Sequence, residues 1–254
     1  MKFMSYLLLP FSAFVLVSSF FTLIVPVSIV VLPLSQPRRL RITSPFWQLF
    51  GAITLYVACL ARLKVIDERP TEIQKMPIPP GLYIANHQSF MDIPVLMTRF
   101  TIAPIMKKEV LYIPIFGLCG YSSGALIVDR SKKDSRKKVL EAARYRLTHH
   151  HKSLQYYPEG TRQRESTDPK PYEKIKRPLM KYAYQLNIPI YPVSIYGTRA
   201  ILNPSNGSVN YGKKVGVKLH DGVRPADFEN EEDFMRHCWN KVTQGHNDLK
   251  SELN

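Results

Sequence analysis

His87 and Asp92 stand five positions apart in "NHQSFMD", Asn86 to Asp92, directly after the apolar run "GLYIA". A neutral imidazole takes a proton near pH 7, and does so best when a carboxylate holds its other ring nitrogen. A serine or glycerol hydroxyl is a poor nucleophile until such a base acts, so the pair points to chemistry on an alcohol. A five-residue spacing across a strand-to-helix turn can fold the aspartate back onto the histidine. Both would then lie at the carboxyl end of a strand, where open α/β sheets place their sites. The same residues have a plainer use. Ser89 and Asp92 fit Ser-x-x-Asp, a capping box that opens a helix. Alternatively Asp92 is itself the N-cap, with Pro94 in the first turn. The spacing alone leaves both readings open.

A second turn-like stretch is "YYPEGTR", Tyr156 to Arg162. Gly160 permits a tight backbone approach or an unusual dihedral, and Arg162 offers a planar fork of donors that matches phosphate. Glu159 either orders the turn or holds a substrate hydroxyl. A third candidate, "GYSSG" from Gly120 to Gly124, fits the Gly-x-Ser-x-Gly nucleophile elbow with Ser122 as nucleophile. That motif needs a strand, a turn and then a helix. Here "IPIFGLC" is interrupted by Pro114 and Gly117, and "ALIVD" after it reads as a strand, so the order is reversed. "HHHK", His149 to Lys152, ends a basic helix and needs no metal there.

Both turns need strands and helices to hold them. Apolar runs predict strands at "LKVID", "LYIA", "IAPIM", "ALIV", "SLQYY", "IYPVSIY" and "VGVKL". Helical patterns fit "FMDIPVLMTRF", "DSRKKVLEAARYRLTHH", "PLMKYAYQLN" and "EEDFMRHCWNKVTQGHNDL". Alternating strands and helices predict an α/β domain, a mixed sheet flanked by helices, over residues 63–254. The loop "RQRESTDPKPYEKIKR" is the most polar segment and is expected to be mobile.

The remaining 1–62 have a different character. Phe3 to Leu34 carries no charge, and a helix needs roughly 20 such residues to cross the hydrocarbon core. No small-residue cleavage site follows it. Pro10, Pro26 and Pro33 argue against one straight helix. Arg38, Arg39 and Arg41 follow, and place that end in the cytoplasm under the positive-inside rule. A second apolar stretch, "PFWQLFGAITLYVACLARLK", reads as an interfacial helix. Two spans would put the arginine-rich link outside. The expectation is therefore one span, or a bent monotopic two-helix anchor with both ends cytoplasmic.

The chain has 254 residues and a net charge of +15. That excess calls for an anionic partner. No nucleic-acid reading module or set of interleaved stacking aromatics is visible, so membrane lipid headgroups fit the charge better than nucleic acid. Cys59, Cys119 and Cys238 have no metal or redox spacing and read as ordinary buried thiols in a reducing compartment.

Taken in order, these motifs resemble the glycerolipid acyltransferase family that includes the 1-acylglycerol-3-phosphate acyltransferases. "NHQSFMD" looks like its Asn-His-x4-Asp block and "GALIVDR", Gly124 to Arg130, like its second. "YPEGTR" looks like its Phe-Pro-Glu-Gly-Thr-Arg block and "IPIYPVSI" like its fourth. The resemblance runs from about Gly81 to Gly197. It implies His87 as general base on the acceptor hydroxyl, with Asp92 orienting it. The alcohol would attack an acyl-CoA or acyl-carrier-protein thioester directly, without an acyl-enzyme or any other cofactor. The implied acceptor is a lysophospholipid, foremost 1-acyl-sn-glycerol-3-phosphate, and the implied product is phosphatidic acid. Arg162, with Arg130 and Lys107 or Lys108, would bind the acceptor phosphate, and Glu159, Gly160 and Thr161 would shape its site. One departure is "IKRP", Ile175 to Pro178, where the family often carries a Phe-Lys-Lys-Gly-like segment. Two rivals remain: an α/β-hydrolase-type lipase or esterase using Ser122, and a membrane-tethered basic binding module.

Overall fold

A computed structural model describes residues 2–74, 78–99, 102–113, 117–118, 120, 122, 124–129, 131–149, 153–162 and 166–254. Seven strands form among them: β1 (Arg62–Asp67), β2 (Leu82–Ala85), β3 (Ala103–Lys107), β4 (Leu126–Val128), β5 (Leu154–Tyr156), β6 (Ile190–Tyr196) and β7 (Lys214–Leu219). The helices are α1 (Lys2–Ser19), α2 (Val25–Val31), α3 (Gln36–Ala52), α4 (Thr71–Gln74), α5 (Asp92–Met97), α6 (Lys133–His149), α7 (Pro178–Gln185), α8 (Thr198–Ile201) and α9 (Glu231–Leu253). Every strand and helix expected after residue 62 is present. The one-turn helices α4 and α8 are additional, too short for any periodicity to announce them.

The strands build one sheet in the order β1-β7-β6-β2-β5-β3-β4. Strands β6, β2, β5, β3 and β4 run parallel. Strand β7 is antiparallel to β6, and β1 follows β7, so the sheet is mixed. The five parallel strands therefore end at one edge. The first and third sequence blocks lie in the turns after β2 and β5, the second runs through β4, the fourth is largely β6 itself, and Lys107 is the last residue of β3, which is why motifs far apart in the chain meet.

Alternation along β2 divides the core. Leu82 and Ile84 face a layer made by α6, α7 and α9, among them Leu179, Met180, Phe234, Trp239 and Val242. Tyr83 and Ala85 face the other layer, with Leu55, Val95, Leu96, Val193 and Val217. Burying both faces suits a largely parallel sheet and its apolar strands. Asn230 caps α9 by accepting from the Asp233 N–H at 3.0 Å. Pro178 begins α7, where its missing N–H costs nothing.

The N-terminal residues fold into two helical runs lying against each other. The first runs from α1 through a π turn, Phe20–Ile24, into α2. The second runs from α3 through a π turn, Ile53–Ala58. Pro10 lies inside α1 and Pro26 at the start of α2. The first run is not one uninterrupted α-helix, in line with its prolines: Pro10 is carried inside α1, but a π turn precedes Pro26 and α2 ends at Val31, ahead of Pro33. The arginines differ from expectation: they ride on α3 rather than in a link. Arg39 donates to Leu34 O and Leu32 O, both at 2.7 Å, and so caps the end of the first run. Leu7–Val31 is the one described helical stretch long and apolar enough to cross a membrane. Phe20, Ile24, Trp47 and Phe50 dock this hairpin on Met97 of α5.

Candidate active site

Strand β2 ends at Ala85, and Asn86 continues its line through its side chain. Its amide donates to Ile195 O and accepts from Ile195 N, both at 2.8 Å. The side chain thus closes the β2–β6 seam where the backbone turns away, and the turn that follows carries His87. Asp92 is the first residue of α5 and is fully buried.

The His87 Nδ1 lies 2.7 Å from Asp92 Oδ2. The same oxygen accepts the Gln88 N–H at 2.8 Å and the Ser89 N–H at 3.1 Å. The Thr198 hydroxyl donates to the other oxygen, Oδ1. A carboxylate that only accepts fixes the proton on Nδ1 and leaves Nε2 with its lone pair. His87 is 17% exposed and lines a cavity, whereas Asp92 is 0% exposed. The imidazole also stacks on Tyr157, ring centroids 4.2 Å apart. Burial, with the charge of Asp92, holds the Tyr157 phenol well above its usual range, so Tyr157 packs as a neutral ring.

The two readings of "NHQSFMD" coexist. One arm of the capping box forms, with the Asp92 carboxylate accepting from Ser89 N. The Ser89 hydroxyl instead donates to Leu202 O at 2.7 Å. Met91, not Asp92, occupies the N-cap position.

The turn after β5 faces this pair. Glu159 is buried, and its Oε1 accepts the His87 N–H at 3.3 Å. This bond ties the turn after β5 to the turn that carries His87. Gly160 adopts φ +70°, which favours glycine, and a Cβ there would meet Lys176 Cε and Nζ at 3.1 Å, so any larger residue would also have to displace the lysine tip. The Arg162 guanidinium sits 3.6 Å over the Phe90 ring.

A cavity of about 480 Å³ joins these parts. His87, Thr161, Arg162, Lys107 and Lys176 line it, and Ile93, Leu96, Met97, Ile102, Ile105 and Leu179 give it apolar walls. Of the residues expected at the site, His87, Lys107, Gly160, Thr161 and Arg162 line this cavity, and Asp92 and Glu159 support it. Arg130 and Cys119 lie outside the described residues. Lys108 points instead toward Asp129, Nζ to Oδ2 3.8 Å.

Four participants had no role in the sequence reading. Thr198 and Asn86 act through hydrogen bonds to residues more than a hundred positions away, and no local pattern reports those. Gln88 links the site to the polar loop, donating to Thr167 O at 2.8 Å. Lys176 lies in the very segment that departs from the family pattern. The loop itself is pinned over its described part, 166–177. Lys170 donates to Glu159 O at 3.1 Å, and Trp239 donates to Lys170 O at 2.8 Å. The expectation of mobility fails there because these bonds hold the loop from both sides.

Ser122 is buried at 1% exposure. Its hydroxyl donates to Leu118 O at 2.8 Å and accepts from Trp47 Nε1 at 2.9 Å. It pins the hairpin, and no substrate reaches it. A second serine has the look of a triad: Ser194 Oγ is 2.9 Å from His220 Nε2, and His220 Nδ1 is 2.9 Å from Glu68 Oε2. Ser194 is fully buried beneath α9 and donates to Val242 O at 2.8 Å. Geometry without access makes this a strut between the sheet and α9.

The acyltransferase family profile matches residues 66–196, just over half of the chain. The 1-acyl-sn-glycerol-3-phosphate acyltransferase of Saccharomyces cerevisiae is 32% identical over 157 residues, covering 59% of this chain and 48% of that one. The Salmonella typhimurium protein of the same name is 27% identical over 225 residues, covering 87% and 86%. The alignments span about half of the yeast relative and 62% of a Caenorhabditis elegans relative. The crystal structure of the 1-acyl-sn-glycerophosphate (LPA) acyltransferase PlsC from Thermotoga maritima superposes with a TM-score of 0.77, at 24% identity, covering 98% of this chain and 97% of that one.

Proposed function

Because this chain belongs to the acyltransferase family, we propose that it esterifies the free hydroxyl of a lysophospholipid with an acyl group from a thioester. The acceptor is 1-acyl-sn-glycerol-3-phosphate and the product phosphatidic acid, as the names of its relatives suggest. The donor is acyl-CoA or acyl-carrier protein. One observation carries the reading: a buried Asp92 holds His87 at the wall of an apolar cavity that also contains Arg162.

His87 Nε2 removes the acceptor hydroxyl proton as its oxygen attacks the thioester carbonyl. The new C–O bond forms, the C–S bond breaks, and the departing thiolate takes the proton back from the imidazolium. Asp92 keeps the ring oriented and stabilises its transient charge. No acyl-enzyme is formed. Arg162 grips the acceptor phosphate with Lys107 and Lys176 nearby, Thr161 edges the same site, and an acyl chain lies along the apolar walls. The N-terminal hairpin is a two-helix anchor in the bilayer. Arg38 and Arg41 set the catalytic part on the cytoplasmic face.

The test uses the purified full chain, each thioester carrier in turn and a panel of lysophospholipids. His87→Ala should lose on the order of a hundredfold or more in turnover, the scale of a general base. Ser122→Ala should retain turnover if it folds. A dead serine variant beside an active histidine variant overturns the assignment.

A further inference from the structure

The cavity wall contains a feature that the chemistry leaves unused. After β3 the chain makes a short 3-10 turn, Lys108–Tyr112. Val110 of this turn lines the cavity with Lys107 and His87. The next three residues point the other way: Leu111 is 36% exposed, Tyr112 73% and Ile113 40%. Three consecutive large apolar side chains in water are costly, and such a patch marks an interaction site. The tip is also held in place. Gly117 N donates to Ile113 O at 2.7 Å, and a side chain at Gly117 would collide with Leu111 O.

Two observations say what covers it. First, the chain that leaves the tip reaches the hairpin within a few residues. Leu118, next to Gly117, packs on Phe20, Ile24, Trp47 and Phe50. The same hairpin leaves Phe14, Phe21, Ile29 and Val30 at least 60% exposed along a stretch long enough to cross a bilayer. Second, the surroundings are basic. Lys108, Lys132 and Lys138 gather with Leu111 around an open hollow that also holds Asp129 and Asp134. Lys107 stands on the other side, paired with Glu109 at 3.2 Å. Apolar residues with a tyrosine at the tip and lysines behind them match the depth profile of a bilayer interface: acyl chains, then headgroup phosphates.

We infer that Leu111, Tyr112 and Ile113 form a second bilayer contact, separate from the hairpin, that seats the cavity wall on the lipid surface. The inference rests on the lipid substrate proposed above. Its consequence is a path for an acyl chain between the bilayer and the cavity with no exposure to water.

Tyr112→Trp in the full chain tests it without reference to activity. Trp47 and Trp239 are both 1% exposed, and the wild-type chain gives their background. The protein is bound to phosphatidylglycerol–phosphatidylcholine vesicles carrying lipids brominated near the headgroup end of the acyl chain. The variant should show an added component, blue-shifted and quenched at least twofold by the brominated lipid. A variant that binds vesicles with no quenching beyond the wild type overturns the inference. A triple variant, Leu111→Ser with Tyr112→Ser and Ile113→Ser, supplies the functional arm. It should lose about tenfold on acceptor embedded in vesicles and keep its rate on a short-chain, water-soluble acceptor. An equal loss on both means a cavity-wall role and overturns the inference. If the wild type acylates neither acceptor, the proposed function fails, and the quenching still decides the contact.

Discussion

Thr198→Val removes one hydroxyl from the site and leaves its shape. Asp92 is fully buried and uses both oxygens, Oδ2 for His87, Gln88 and Ser89, and Oδ1 for Thr198. The valine leaves Oδ1 without this donor. A hydrogen bond to a charged group contributes about 1.5–3 kcal/mol. Thr198 is absent from the cavity wall, so substrate binding does not sense the change. The interaction matters most when His87 carries the proton and Asp92 must stay fixed beside it. If the whole loss falls in the transition state, kcat drops about 10- to 150-fold, at about 1.4 kcal/mol per tenfold. KM for the lysophospholipid should stay within about twofold, since no ground-state contact is lost. Thr198→Ser should restore most of kcat. The assay is steady-state release of free thiol, run well below the thermal midpoint of each variant so that lost stability does not mimic lost catalysis. A Thr198→Val enzyme with wild-type kcat, or one whose loss lies wholly in KM, refutes the reasoning.

Two further outcomes follow from the same geometry. Arg162→Lys should raise KM for the phosphorylated acceptor about tenfold with kcat nearly unchanged, because a lysine lacks the planar fork that matches phosphate. A KM equal to wild type would remove Arg162 from phosphate binding. Burial holds both the His220 and His246 imidazoles below their ordinary range, against the partial pull of Glu68 and Asp168. The unfolded chain therefore binds more protons just below about pH 6.5. Stability is full above that pH and should fall as pH drops through the window toward the folded values. Thermal midpoints by circular dichroism between about pH 7.5 and 5 should decline on the acid side, and a flat profile contradicts the burial argument.

The sheet was legible because each strand is a short apolar run bounded by Gly, Pro or charge, and because helical periodicity separates β2 from β3, β4 from β5 and β5 from β6. The parallel order follows from that alternation, and it makes the sequence blocks converge. The His87–Asp92 pair was legible because both partners sit in one turn. Thr198 was not, because its bond to Asp92 spans 106 positions and a threonine after "IYG" carries no local mark. Ser122 and Ser194 show the opposite failure. One fits a motif and the other a triad geometry, yet burial disqualifies both, and burial is a property of the packed chain. The prolines of the first run were legible in part: the run changes to a π turn ahead of Pro26 and ends before Pro33, while Pro10 stays inside α1.

The turn "NHQSFMD" unites local structure and chemistry in a single atom. Asp92 Oδ2 receives the Ser89 and Gln88 N–H groups, which would otherwise be unpaired donors in the buried turn that leads into α5, and it receives His87 Nδ1 as well. The bonds that hold the turn ahead of the helix are thus the bonds that fix the base. Asp92→Glu keeps the charge, but the added methylene moves the oxygen away from all three donors at once. The turn and the imidazole orientation must then fail together, whereas Ser89→Ala, which leaves the Ser89 N–H in place, removes the serine hydroxyl's contacts with Leu202 O and the Met91 N–H and leaves the carboxylate where it is.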